Sequence, residues 1–178
     1  MRLSLGLLGA SLLCIATSAG AAENAIEVPV NSISADGIGK QVGTLTIAAV
    51  NGGVSFTPDR RGFGQGSHAF HVHEKPDCGP GVSNGRQVAG LAAGAHYNGA
   101  SSRDGMAGHG QMVIAMRGDL PELMATADGS MTKAVVKKDL TLAELHGRSV
   151  MIHEYGEQPS DPAKPRGGGA RVACAVIP

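Results

Sequence analysis

The chain has 178 residues, with 15 basic against 15 acidic side chains and seven histidines. That length suits one domain with a real core, and the balanced charge gives no electrostatic case for a nucleic acid or an anionic membrane as partner. Aromatic residues make up only 3% while glycine reaches 27 positions, a composition that favours short strands, turns and long loops over packed helices.

The N-terminal segment reads as a secretory signal. Arg2 gives a basic start, Leu3 to Ile15 is almost wholly apolar, and Ala19-Gly20-Ala21-Ala22 offers small residues before Glu23. Cleavage after Ala22 leaves residues 23–178 as a single exported domain, with the periplasm as its expected location. The apolar run is shorter than the roughly 20 residues that span a bilayer, and no later stretch replaces it, so no stable membrane insertion is expected. Cys14 is followed by Ile15, not by the small residue expected after a lipidated cysteine.

From there the pattern is that of a β-meander. Ala25 to Val30 alternates in part and reads as an edge strand, Asn31 to Lys40 as a hairpin, and Val42 to Ile47 as a strand with β-branched residues. Asn51-Gly52-Gly53 is a strong turn signal. Val54 to Thr57 resumes a strand that Pro58 is expected to end, and a glycine-rich stretch then leads into His68-Ala69-Phe70-His71-Val72-His73. Residues two apart in a strand share a face, so His71 and His73 can reach one ion while Phe70 and Val72 enter a core. His68 falls on neither footing; it reads as an inner histidine that bonds loop backbone and steadies how the ligands are aimed.

Glu74 to Tyr97 shows no sustained periodicity, and Asn98 to Gly110 continues irregular. Gln111 to Met116 reads as a strand, Arg117 to Pro121 as a break, Ala127-Asp128-Gly129 as a turn and Met131 to Val136 as a strand. Thr141, with Glu144 three residues on, marks the cap of one short helical turn. Arg148 to His153 is a strand, Glu154 to Gly169 a second long loop, and Ala170 to Ile177 the last strand. Eight short strands with two long loops call for an all-β fold, an antiparallel sheet closed into a barrel or folded as a sandwich.

Two cysteines follow the signal, Cys78 and Cys174, in an exported context that permits oxidation. A bridge between them would close a loop of nearly the whole domain and tie the segment leaving His73 to the C-terminal strand. Further metal ligands must come from His96, His109, His146 and His153. His146 directly follows the helical turn and reads as a surface residue. His71, His73, His96 and His153 lie at strand ends or in adjoining loops. Four imidazoles suit copper or zinc, and a roughly planar or distorted set of four nitrogens favours Cu²⁺; the missing carboxylates argue against calcium and magnesium.

Gly66-Ser67-His68-Ala69-Phe70-His71-Val72-His73-Glu74, Ala95-His96-Tyr97-Asn98, Gly118-Asp119-Leu120-Pro121, Val150-Met151-Ile152-His153 and Gly167-Gly168-Gly169-Ala170-Arg171-Val172-Ala173-Cys174 occur in that order. Together they resemble the copper-zinc superoxide dismutases of the bacterial, exported type, from about Val42 to Ile177. The resemblance implies an eight-stranded antiparallel Greek-key barrel with two long loops, an immunoglobulin-like β-sandwich. It also implies a Cys78–Cys174 bridge, copper on His71, His73, His96 and His153, and a Cu(II)/Cu(I) cycle that disproportionates superoxide to dioxygen and hydrogen peroxide. Arg171 would guide the anion, and His96, which in the family is shared between the metals, would be protonated as copper is reduced. Lys137, Lys138 and Lys164 are further candidates for steering.

The zinc half departs from the family pattern. Asp119 fits the zinc aspartate, but Met116 stands where the family has a histidine three residues earlier, and only His109 lies between His96 and Asp119. Three readings follow: zinc on His96, His109, Asp119 and Asp104 or water; a copper-only enzyme; or an exported copper-binding, storage or delivery protein on the same scaffold. Met106, Met112 and Met116 bear on the last, since thioethers favour Cu⁺. Glu157 stands where the family has an aspartate that links the two metal sites by hydrogen bonds. Superoxide is the expected partner molecule, and a monomer or small homodimer the expected assembly.

Overall fold

The computed structural model describes residues 25–99, 116–157 and 167–178. Seven antiparallel strands form one curled sheet: β5 (Phe70–His73), β10 (Arg148–His153), β11 (Arg171–Ile177), β1 (Ala25–Ser34), β2 (Gly37–Val50), β3 (Gly53–Arg60) and β9 (Val135–Lys138), in that spatial order. A short pair, β4 (Gly66–His68) with β8 (Leu123–Ala125), and a hairpin, β6 (Gly81–Ser83) with β7 (Arg86–Val88), complete the strands among the described residues. With β4 and β5 taken as one strand broken at Ala69 and the β6–β7 hairpin set aside, eight strands remain in the all-β Greek-key fold. The chain leaves β3 near one edge and crosses to β5 at the other.

Alternation along the strands builds the interior. Val28 and Val30 of β1, Leu45 and Ile47 of β2, Val54 and Phe56 of β3 and Val150 and Ile152 of β10 point into one core, as period-2 patterning requires. Phe70 and Val72 of β5 join it, and Phe70 meets Phe56 edge to face at 5.6 Å between ring centroids. Ala25, Glu27 and Pro29 of β1 are exposed, whereas the alternate residues of β5 and β10 face outward and are buried beneath the loops. There Met151 packs with Ile33, Ala93, Cys78 and Cys174 in a second, smaller cluster.

Several local expectations are corrected. The edge strand foreseen over Ala25 to Val30 runs on to Ser34, and this extension, at Asn31 and Ser32, pairs with β11, which places β1 between β11 and β2 in the sheet. Pro58 does not end β3; it pairs with Leu45. The partner β9 covers β3 only from Gly53 to Phe56, so the proline sits where a ladder tolerates a missing N–H. The segment after Glu74 contains the β6–β7 hairpin, turned by Asn84 and Gly85 with both φ values positive. The strand foreseen over Met131 to Val136 starts later, at Val135; Met131 forms an isolated bridge with Arg60. Met116 is not in a strand, and residues 111–115 lie outside the described residues. The helical turn α1 (Leu142–Leu145) has the foreseen reciprocal cap, Thr141 with Glu144.

Cys78 and Cys174 are joined in a disulfide with Cα atoms 5.8 Å apart and a sequence separation of 96. It fastens the loop after β5 to β11 within the small outer cluster. For a loop of that length, chain entropy predicts that replacing both cysteines by alanine lowers unfolding free energy by about 4 to 5 kcal/mol. Urea denaturation of the metal-free double variant checks this, and a midpoint matching the parent would contradict it.

Candidate metal centre

Four strand and loop segments bring the histidines together. The outward residues of β5 are His71 and His73, both buried, because loops cover that face. Pairing of β5 with β10 sets His71 opposite Met151 and His73 opposite Ser149, and a register shift between Ile152 and His153 accompanies the turn of His153 toward the cluster. Isolated bridges hold His96 beside His73 and Asp119 beside His71. A small ladder of three segments supports them: Val72 N–H donates to Gly118 O (2.8 Å), Tyr97 N–H to Val72 O (2.8 Å) and Gly118 N–H to Tyr97 O (2.6 Å). A Cβ on Gly118 would lie 2.9 Å from both Tyr97 N and Tyr97 O, so the close approach requires glycine.

Each ring has one nitrogen committed to an oxygen. His73 Nδ1 donates to Gly94 O (3.0 Å), His153 Nδ1 to Gly169 O (3.1 Å) and His96 Nδ1 to Asp119 Oδ1 (2.9 Å), while His71 Nε2 is bonded to Glu157 Oε1. In a neutral imidazole the remaining nitrogen carries a lone pair. His71 Nδ1 and His153 Nε2 therefore face each other, lone pair to lone pair, at 3.2 Å, and His73 Nε2 is buried with no hydrogen-bond partner. Ligand atoms of His71, His73 and His96 lie within 4.8 Å of one another. Unpaired lone pairs converging in a buried space are unfavourable unless a cation sits among them, and a soft-to-borderline transition ion is the fitting one.

Electrostatics agree. Burial pushes His71 down to about 3 and His73 and His153 down to about 4, helped at His71 by the neighbouring imidazoles and at His73 and His153 by Arg171, so these rings are neutral and ready to ligate. Burial works to raise the Asp119 carboxyl, but hydrogen bonds from His96 and the Met116 amide outweigh it and hold the group below its usual range. Glu157 is pushed the other way, by burial and by the nearby Asp119 charge.

Arg171 opens β11, opposite His153. Its Nη1 donates to Gly90 O at 2.7 Å, and burial lowers its pKa. Gly90 is packed against Met151 and Ile33 beside the disulfide, so the guanidinium is tied to the cystine-anchored loop. His68 is buried, with Nδ1 2.8 Å from His153 O and Nε2 2.8 Å from Gly64 O; it braces the ligand strand from behind. His146 stands apart, exposed and bonded to Pro178 O.

On the zinc side, the described residues contribute His96 and Asp119, bonded directly to each other. A structural zinc ion takes four ligands, so these two alone do not make its site. Met116 is 38% exposed, and its amide donates to Asp119 Oδ2 at 2.7 Å. His109, Asp104, Met106, Met112 and Lys164 lie outside the described residues. Lys137 Nζ donates to Asp119 O at 2.7 Å, which engages it in holding the loop. Sequence reasoning missed the carbonyl anchors of Gly90, Gly94 and Gly169. All three glycines have positive φ (64°, 81° and 71°), so glycine itself was the available signal: it frees the backbone to turn a carbonyl toward a ring or guanidinium. It also missed Glu122, whose Oε1 accepts from Glu157 N–H at 2.6 Å.

The profile of the copper/zinc superoxide dismutase (SODC) family matches residues 41–177. A copper-zinc superoxide dismutase of Brucella abortus is 45% identical over 145 residues, covering 79% of this chain and 81% of that protein. The solved structure of the Cu/Zn superoxide dismutase from Brucella abortus superposes with a TM-score of 0.73 at 40% identity, covering 86% of this chain and 99% of the other. The monomeric copper, zinc superoxide dismutase from Salmonella enterica gives 0.72 at 36% identity, with the same coverage.

The three depressed histidines set a pH dependence for the metal-free protein. Their folded pKa values lie below the ordinary 6.5, so the unfolded chain binds more protons and stability falls as pH drops from about 6.5 through about 4 toward 3. Thermal unfolding of the metal-free protein is expected to be flat between pH 7 and 8 and to shift to lower temperature from pH 6.5 to 4. A midpoint constant over that interval would contradict the buried, neutral state of the rings.

Proposed function

The chain belongs to the copper/zinc superoxide dismutase family, and on that premise we propose how its own residues carry out the reaction. It is a copper-dependent enzyme acting on superoxide, and the storage or delivery alternative is not favoured. We assign copper to His71 Nδ1 and to Nε2 of His73, His96 and His153. The observation that carries the assignment is the 3.2 Å approach of His71 Nδ1 to His153 Nε2, on rings whose other nitrogens are bonded to oxygen, beside the unpartnered His73 Nε2. Copper, when bound, supplies the alternation between Cu(II) and Cu(I) by which one superoxide is oxidised to dioxygen and another reduced to hydrogen peroxide.

The protein's part is orientation, charge and protons. Arg171 carries a permanent positive charge in a half-buried position, held by Gly90 O, with guanidinium N–H groups left to donate to a small anion. His68, Glu157 and the glycine carbonyls keep each ring at one angle and in one tautomer. His96 is the proposed proton carrier: Asp119 Oδ1 holds the ring by Nδ1–H, and Nε2 would carry a proton only while it does not ligate copper, since its one lone pair serves either.

We further propose that turnover needs copper alone. Supporting this are Met116 at a zinc-histidine position and the direct His96–Asp119 bond, in which the carboxylate occupies His96 Nδ1. Export through the segment before Glu23 stays a proposal, since residues 1–24 lie outside the described residues, and so does a monomer or small homodimer. Among the described residues no helix is long and apolar enough to cross a membrane.

Two measurements test the reading. Elemental analysis of the purified, active protein is expected to give copper near one per chain with negligible zinc; activity that requires stoichiometric zinc would refute the copper-only proposal. Arg171→Ala is expected to retain copper and to lower the second-order rate with superoxide by about tenfold or more, within the range of electrostatic guidance. An unchanged rate would remove Arg171 from its anion-guiding role.

A further inference from the structure

Beyond the ligands and their immediate anchors, one charged cluster reaches the metal centre from outside. Arg117 lies between Met116 and Gly118, two residues before Asp119. Its guanidinium forks onto Glu144, with Nε to Oε1 at 2.5 Å and Nη2 to Oε2 at 2.9 Å, and Nη2 also donates to Asp139 O at 2.5 Å. The pairing holds Glu144 down at about 2 and pushes Arg117 above its ordinary value, so both are charged. Glu144 is itself fixed as the reciprocal cap of α1, accepting from Thr141 N–H and Oγ1–H.

The same carboxylate accepts from Tyr97 O–H at 3.3 Å. Tyr97 immediately follows His96, and its ring is covered by the Arg148 guanidinium, 3.6 Å from the ring centroid. Arg148 in turn donates to Glu144 O and Glu74 O. The stem of Arg117 lies over Gly99: a Cβ there would come within 2.7 Å of Arg117 Cδ. Glu144 therefore grips both halves of the Tyr97–Gly118 ladder at once, one through Arg117 and the other through Tyr97. His96 and Asp119 are the next residues out along those two segments.

We propose that Arg117 and Glu144 are positioning residues for the metal centre, whose ion pair locks Tyr97 to Gly118 and thereby fixes the aim of His96. The proposal rests on the reading of His96 as a copper ligand. It gives the His96–Asp119 corner a protein-built brace anchored on α1, independent of a metal ion at His96 Nδ1. A bidentate arginine–carboxylate pair has the planar geometry to hold one orientation, which a lysine cannot reproduce.

The test compares Arg117→Gln and Glu144→Gln with the parent as Cu(II)-loaded protein, by electron paramagnetic resonance and by competitive copper titration. Both variants are expected to show an altered copper hyperfine pattern and about tenfold weaker copper binding, the lower end for groups that orient ligands through another residue. Leu142→Ala, which loosens α1 against the core without touching the ion pair, is expected to lower the melting temperature and leave the spectrum unchanged. Arg117→Lys, the milder change if Arg117→Gln fails to fold, is expected to shift the spectrum in the same direction. Parent-like spectra and affinity in the Arg117 and Glu144 variants, or an equal spectral change in Leu142→Ala, overturn the proposal. His96→Ala separates the two ideas: a parent-like spectrum there refutes the ligand assignment itself, whatever the clamp variants do.

Discussion

The centre depends on one constraint, that each imidazole is held by an oxygen the fold cannot easily move. An imidazole has two nitrogens, and fixing the proton on one decides where the other points its lone pair. Gly94 O, Gly169 O, Asp119 and Glu157 make that decision for His73, His153, His96 and His71. The convergence of lone pairs is therefore made outside the ligands, by backbone carbonyls and carboxylates seated in loops that the sheet itself positions. Burial then keeps His71, His73 and His153 neutral, so these three rings have no charge of their own to repel a cation.

Charge is organised around this neutral set. Arg171 brings a permanent positive charge to the cluster and is felt at His73 and His153, while Glu157 and Asp119 each bond one ring nitrogen, Nε2 of His71 and Nδ1 of His96. On the proposed assignment, an approaching anion would meet the guanidinium on one flank, with the acceptors kept behind the rings. The Gly90 carbonyl that fixes Arg171 belongs to a loop gripped by the cystine, so a covalent link far from the ligands takes part in setting the field at the centre.

Much of this was legible in the sequence where a single segment contained the signal. Alternation through Phe70–His73 separated core from ligand side chains, the Thr141–Glu144 spacing gave the cap, and Arg148–His153 was read with its bounds intact. What escaped depended on partners distant in the chain. Whether Ala25–Ser34 is edge or interior is settled by β11, some 140 residues later, and Pro58 is tolerated because β9 stops short of it. The Arg117–Glu144 pair joins residues 27 apart through side chains alone, and no periodicity announces a contact of that kind. Zinc ligation is not legible for a different reason: Met116 and the lone His109 break the family pattern in the sequence itself.

The two faces of β5 and β10 have one further consequence. Phe70, Val72, Val150 and Ile152 look into the barrel, while His71, His73, Met151 and His153 look out beneath the loops. The wall between them packs on both faces, the barrel core on one side and the Met151–cystine cluster beside the imidazoles on the other. A change on the imidazole side that reaches Met151, Ala93 or the cystine therefore alters stability as well as geometry, because all of them share the outer hydrophobic cluster.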